Sequence, residues 1–301
     1  MSLRAVKPEA VKDRKPKFLV SGKSGVGKTL FALDFPKPYY IDVEEGAVRK
    51  QYVEKLNEAG GVYFGPAQGS RDFKSIIDEL KSLATVKHDY KTVIIDSFSH
   101  LYNLAAAIAE EKMGNDFGKD KKEANRPARQ LLRWIEMLDM TVILICHQRE
   151  KWERRNGQLV STGTTFDGYD KLEYILDLWV EIEKLGMERS FTVKKTRIDE
   201  FPEGMTFPLS YSKFASLYGQ EIIEKDAKPV QMATKEEVAE LEGLLSVVKI
   251  EADTLDKWKE KANVDTWAEM TGQQITGAIG FCKKKLAELA VPTATNGKGV
   301  K

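Results

Sequence analysis

The sequence predicts an α/β fold: a mainly parallel central sheet, extended by antiparallel strands and followed by a small helical domain. Three observations carry this expectation. From Lys17 onward, short apolar strand patterns alternate with helical stretches. The runs Thr92-Val93-Ile94-Ile95 and Val142-Ile143-Leu144-Ile145 lack polar alternation, as central strands covered on both faces do. A glycine-rich turn, Gly22-Lys23-Ser24-Gly25-Val26-Gly27-Lys28-Thr29, joins the first strand to the first helix.

In order along the chain, residues 1–17 hold six Lys/Arg against two acids and no apolar periodicity, so 1–16 read as a flexible basic arm. Strands are expected at 17–21, 38–43, 62–64, 91–96 and 141–146, with helices at 28–34, 72–84, 98–113 and 126–139. After Phe166 the pattern changes. Leu178-Trp179-Val180-Glu181-Ile182-Glu183 and Phe191-Thr192-Val193-Lys194-Lys195 alternate apolar and polar residues around a Gly186 turn, and read as antiparallel strands. Phe207-Pro208-Leu209-Ser210-Tyr211 reads as one more. These elements bound a core domain at 17–225, and the polar, proline-containing stretch 226–233 is a linker.

Residues 234–290 then give three short helical patterns. Thr234-x-x-Glu237 and Thr271-x-x-Gln274 are capping boxes for the first and third. Val238, Leu241, Leu244 and Leu245 line one face of the first, Leu255 and Trp258 mark the second, and Ile275, Ile279, Cys282 and Leu286 line the third. Residues 291–301 read as a disordered tail.

At 301 residues the chain has room for one large domain and a small one. Its net charge of +1 sets up no global field, so nucleic-acid binding would need local patches. Two cysteines, Cys146 and Cys282, exclude a disulfide framework and suggest a reducing compartment. No segment is apolar enough to span a membrane and the N-terminus lacks a leader pattern, so the expectation is a soluble cytoplasmic protein with no membrane partner.

The chemistry concentrates at strand ends. Residues 22–29 form a complete G-x-x-x-x-G-K-[ST] loop, which implies a nucleoside triphosphate ligand: glycines let main-chain amides face phosphate oxygens, Lys28 neutralises the β/γ-phosphates and Thr29 holds Mg²⁺. Asp96 closes the run Val93-Ile94-Ile95 and is the second candidate ligand for Mg²⁺, directly or through water. Glu44, at the end of the strand within Tyr39-Tyr40-Ile41-Asp42-Val43, is the candidate base that activates water, with Glu45 second. Two basic stretches follow such strands. Lys112 to Arg133 includes Lys121 and Lys122; the later one holds Arg149, Lys151, Trp152, Arg154 and Arg155, then Gly157 and Gly163. Cations that track phosphates beside an aromatic on which a base stacks suit single-stranded DNA.

The order of phosphate loop, strand-end glutamate, strand-end aspartate and a fourth strand ending in a polar residue resembles the RecA-like ATPases. In RecA and the DnaB-type helicases the glutamate sits on the strand after the phosphate-loop helix, as in Ile41-Asp42-Val43-Glu44. The resemblance implies a γ-phosphate sensor, commonly Gln, at the end of the fourth strand, here Ile145-Cys146-His147-Gln148, with His147 at the sensor position and Gln148 the neighbouring candidate. It also implies that Lys195-x-Arg197 reaches the nucleotide of a neighbouring subunit, and hence a homo-oligomer, ring or filament.

Size and motif order resemble the phage-encoded nucleotide-binding proteins of the Sak group. That resemblance implies an ATP- and Mg²⁺-dependent ATPase that binds single-stranded DNA and anneals or pairs strands in phage recombination, in the cytoplasm of the infected host. A single-strand-binding protein is a further implied partner, and the helical module is left open among DNA binding, contact with that protein and assembly. A ring helicase or loader, and a nucleotide-gated interaction protein with little hydrolysis, remain the alternatives.

Overall fold

The computed structural model describes residues 14–46, 49–113, 119–262 and 264–290; the side chains of 113, 119–124, 289 and 290 are outside that description. Most of the expected basic arm and the tail 291–301 lie outside the described residues. The chain divides into two compact units, Met1–Pro229 and Val230–Lys301.

The first unit is an α/β structure around an eight-stranded sheet. Its strands are β1 (Lys17–Ser21), β2 (Pro38–Asp42), β3 (Val62–Phe64), β4 (Thr92–Asp96), β5 (Thr141–Ile145), β8 (Leu178–Leu185), β9 (Glu188–Thr196) and β10 (Thr206–Pro208), in the spatial order β10-β9-β8-β1-β5-β4-β2-β3. β1, β4 and β5 are buried at every position, which is why their sequences need no polar alternation. All pairs from β8 to β3 are parallel. The antiparallel extension therefore begins one strand later than the sequence pattern suggests: β8 lies parallel to β1, with Phe18 opposite Leu178, and only β9 and β10 run against their neighbours.

Helices α1 (Lys28–Leu33), α2 (Lys50–Glu58), α3 (Phe73–Thr85), α4 (Phe98–Met113) and α5 (Lys119–Met137) connect the strands. Asp72 caps α3 by accepting from the Ser75 amide at 2.9 Å. The strand expected at 207–211 shortens to β10 because Ser210 caps a helix, accepting from the Lys213 amide at 3.1 Å. After α6 (Leu172–Ile175), that helix is α7 (Tyr211–Tyr218), followed by α8 (Gln220–Glu224).

One face of the sheet is filled by fully buried aromatics from different elements: Phe18 of β1, Phe35 after α1, Phe191 of β9, Phe201 between β9 and β10, and Phe214 of α7. Phe214 sits at the centre, stacked on Phe18 at 4.8 Å between ring centroids and edge-on to Phe35 at 5.4 Å. Such offset and edge contacts add to the burial of large apolar surfaces, and they lock β9 and α7 against the β1–α1 unit that carries the glycine-rich loop.

The second unit contains α9 (Lys235–Val247), α10 (Ala252–Ala262) and α11 (Gly272–Ala290). Thr234 and Glu237 form a reciprocal capping box at α9. Leu241, Val264, Met270, Ile275, Ile279 and Cys282 make its own core.

Candidate active site

Parallel pairing brings the carboxyl ends of β1, β5, β4 and β2 to one edge, the edge where ligands bind in open α/β sheets. They surround a cavity of about 490 Å³ lined by Ser24, Gly25, Gly27, Lys28 and Thr29 on one side and Asp42, Glu44, Glu45, Asp96 and His147 on the other. That volume suits a small-molecule ligand.

The loop 22–29 needs glycine for two separate reasons. Gly22 has φ of 147°, and a Cβ there would lie 2.5 Å from the Ile182 carbonyl oxygen of β8. Gly27 has φ of 107°, left of what a side chain tolerates. Lys28 Nζ donates to the Gly22 and Lys23 carbonyls, each at 2.9 Å, so the ammonium sits across the mouth of its own loop. Burial lowers its pKa, against the nearby charges of Asp96 and Glu44.

Thr29 Oγ1 donates to Asp96 Oδ2 at 2.6 Å, and the Tyr40 hydroxyl donates to the same oxygen at 3.1 Å. Asp96 is buried, and burial pushes its carboxyl up to about 6, opposed by the Thr29 hydrogen bond and reinforced by the charge of Glu44. The Asp96–Ser97 peptide bond is cis. A hydroxyl and a carboxylate are hard oxygen donors of the kind Mg²⁺ prefers. Among the described residues no cluster of three or more His, Cys, Asp or Glu could hold a metal. This donor set therefore fits an ion that takes its remaining ligands from phosphate and water, and fits poorly one caged by protein alone.

Glu44 Oε1 accepts from His147 Nε2 at 2.9 Å and from Ser97 Oγ. The His147 hydrogen bond, with that from Ser97, overcomes burial and holds the Glu44 carboxyl down at about 2; reciprocally, Glu44 raises the His147 pKa. Glu45 pairs with Arg71 at 3.3 Å. His147 lines the cavity, whereas Gln148 begins the next strand and turns its amide to Glu181.

A protein family described as "AAA domain" matches residues 14–199, more than half of the chain. The chain belongs to the AAA domain family. The matched span contains every residue that lines the cavity of this AAA domain. A solved structure titled "Crystal structure of the RadB recombinase" is similar over 64% of this chain and 84% of that one, at 19% identity and a TM-score of 0.42. No curated protein matches the chain.

Other expected residues of the AAA domain lie away from the cavity. Lys195 Nζ donates to the Leu176 carbonyl and Arg197 Nη2 to the Tyr174 carbonyl. Because Leu178 pairs with both Thr196 and Phe18, these two cations stand at the amino-terminal edge of β1, opposite its glycine-rich loop. Arg149, Lys151, Trp152, Arg154 and Arg155, read from the sequence only as a basic stretch after the fourth strand, are themselves strand. They form β6 (Gln148–Arg155), paired with β7 (Gln158–Phe166) in a separate two-stranded ribbon. Asn156 and Gly157, with φ of 50° and 81°, make the two-residue turn. The register shifts between Glu150 and Trp152, opposite Gly163, as at a β-bulge.

Trp152, 55% exposed, shares a ribbon face with Arg154 and Leu159, while Glu153 on the other face pairs with Lys151 at 3.1 Å and Arg155 at 3.5 Å. Arg149 is tied to Asp170 at 3.0 Å. The ribbon is rooted on the buried carboxylate of Glu181: Gln148 Nε2 from one strand and Thr164 Oγ1 from the other donate to its Oε1, the latter at 3.0 Å, and Lys194 pairs with Oε2 at 3.0 Å. Lys121 and Lys122 fall within α5, and their side chains lie outside the described residues.

Sequence reasoning misses Tyr40, Ser97, Arg49, Tyr52 and Arg189, all at or beside the cavity. Tyr40 is two residues before Asp42 on one strand face, a period-2 signal that is readable. Arg189 has no local signal, because its place follows from the pairing of β8 with β1.

Proposed function

We propose that the chain is an ATP- and Mg²⁺-dependent RecA-like ATPase that binds single-stranded DNA and acts in phage recombination by annealing or pairing strands. The observation that carries the nucleotide-binding part of the reading is the 2.6 Å hydrogen bond between Thr29 and Asp96, which joins the glycine-rich loop to the strand-end carboxylate. Thr29 and Asp96 would hold Mg²⁺, which would supply charge neutralisation of the triphosphate. Lys28 exchanges its two loop carbonyls for phosphate oxygens, and residues 22–27 contribute main-chain amides.

Glu44 orients the attacking water. A carboxylate that titrates near 2 is a weak proton acceptor at neutral pH, so positioning rather than full deprotonation is its share of the work. His147, bonded to Glu44 and directly followed by the ribbon, supports a sensor role that links the γ-phosphate to Gln148, Glu181 and Thr164. Trp152 offers a stacking face and Arg149, Lys151, Arg154 and Arg155 offer phosphate contacts. Lys195 and Arg197 act only on a neighbouring copy's nucleotide, which makes the working unit a homo-oligomer.

The test is ATP turnover without DNA, with single strands and with duplex, alongside particle size, for the wild type and Lys28→Ala. Stimulation by single strands together with assembly, both lost in Lys28→Ala, is the expected result. A response to no DNA removes the recombination reading. The same low pKa of Glu44 favours a second reading, a nucleotide-gated interaction protein with little hydrolysis; in that case Glu44→Gln leaves function intact.

A further inference from the structure

We propose that Arg189, at the start of β9, is a second phosphate-binding cation of the nucleotide site, supplied by the same chain. The inference rests on the nucleotide reading above and adds a residue that it does not contain. Arg189 lies far from the glycine-rich loop in sequence, yet its Nε donates to the Val26 carbonyl at 3.1 Å. Its Cδ and Nε lie 3.3 and 3.4 Å from the point where a Cβ on Gly27 would stand, so the arginine packs directly over the glycine and a side chain there would crowd it. Arg189 lines the same cavity as Lys28 and Thr29.

Its place is set by the sheet. Arg189 pairs with Lys184 across the β8–β9 hairpin, and its carbonyl accepts from the Leu209 amide at 3.0 Å. β8 in turn abuts the loop through the Ile182 carbonyl beside Gly22. The backbone of this arginine is therefore held in register with the loop it touches.

Charge gives the reason for a second cation. Four carboxylates line the cavity, Asp42, Glu44, Glu45 and Asp96, against three basic side chains, Lys28, Arg49 and Arg189. A polyphosphate entering that field needs cations on the loop side, away from the carboxylates, and there Lys28 and Arg189 flank the turn. A guanidinium carries five N–H donors in a planar fork that matches phosphate oxygens; the Nε bond to Val26 uses one of them. Unlike Lys195 and Arg197, Arg189 stands on the same sheet edge as its own loop, so its contribution does not require a second copy.

The experiment titrates the full-length chain with MgATP and with magnesium tripolyphosphate by calorimetry, for the wild type, Arg189→Gln and Arg189→Lys, with Lys28→Ala as the control for the site. Glutamine can still donate to the Val26 carbonyl but carries no charge. Arg189→Gln is expected to weaken both ligands by about 10–100-fold, the range for loss of a charged hydrogen bond. Arg189→Lys is expected to bind both more tightly than Arg189→Gln, and both variants should unfold, ligand-free, at the wild-type temperature because the side chain is exposed. Wild-type affinity in Arg189→Gln overturns the inference and leaves the nucleotide site standing. A lysine variant no better than glutamine, or a loss matched by a lower ligand-free unfolding temperature, shows a structural latch and also overturns it. If the wild type binds neither ligand, the nucleotide reading falls and takes this inference with it.

Discussion

Asp96→Asn separates what the fold needs from what the site needs. The buried carboxyl titrates at about 6 instead of the ordinary 3.8, and at ~1.4 kcal/mol per tenfold change in proton affinity its ionisation costs the ligand-free fold up to ~3 kcal/mol. The sign follows from a raised acid pKa: the stabilising protonated form is fully present below 3.8, and its contribution is lost as pH rises through about 6. Asparagine keeps the shape and offers one oxygen to both Thr29 and Tyr40, the two donors that Asp96 now receives. The variant should therefore be more stable than the wild type above about pH 6, by a margin that shrinks toward zero as pH falls to 3.8. It should at the same time lose Mg²⁺-dependent nucleotide binding. Thermal unfolding in chelator across that pH range, paired with calorimetry of MgATP, measures both. An asparagine variant that is less stable than the wild type at neutral pH, or one that binds MgATP unchanged, refutes the reasoning.

Three further outcomes are expected. His147→Ala frees the Glu44 carboxyl to move up from about 2, so the acid limb of the turnover profile shifts to higher pH. The half-exposed pair itself contributes only ~0.2–1 kcal/mol, present between the ordinary values of 4.5 and 6.5 and lost as pH falls through about 2 or rises past the raised His147 value; urea titrations at several pH values read it. Trp152→Ala on the ribbon should weaken single-stranded DNA binding by ~1–3 kcal/mol, one stacked base, without changing ligand-free stability, as followed by fluorescence anisotropy. Phe214→Ala empties the centre of the aromatic cluster and should cost ~3–5 kcal/mol in denaturant unfolding, since this ring is fully buried.

The central strands are legible in the sequence because burial on both faces leaves an unbroken apolar run, as at 92–96 and 141–145. The loop 22–29 is legible because its chemistry is local. Helix α2 is not: KQYVEKLNE is polar overall and buries a single residue, Leu56, so its apolar face is too thin to stand out. The ribbon is hidden for the same reason. Its strands are exposed along nearly their whole length, and only the Asn156-Gly157 turn announces a hairpin. Positions 44, 96 and 147 are legible as strand ends, while the hydrogen bond between Glu44 and His147 depends on the strand order, which no local pattern encodes. The parallel run of β8 against β1, and with it the approach of Arg189 to Val26, is likewise a property of tertiary pairing.

Glu181 clasps Gln148 and Thr164, one from each side of the ribbon, on a single oxygen. The strands already pair from Gln148 opposite Phe166 to Arg155 opposite Gln158, and this shared oxygen adds a joint at their base that shearing would break. A displacement at that base is passed to both strands together, and the turn Asn156-Gly157 is the point farthest from it along the ribbon.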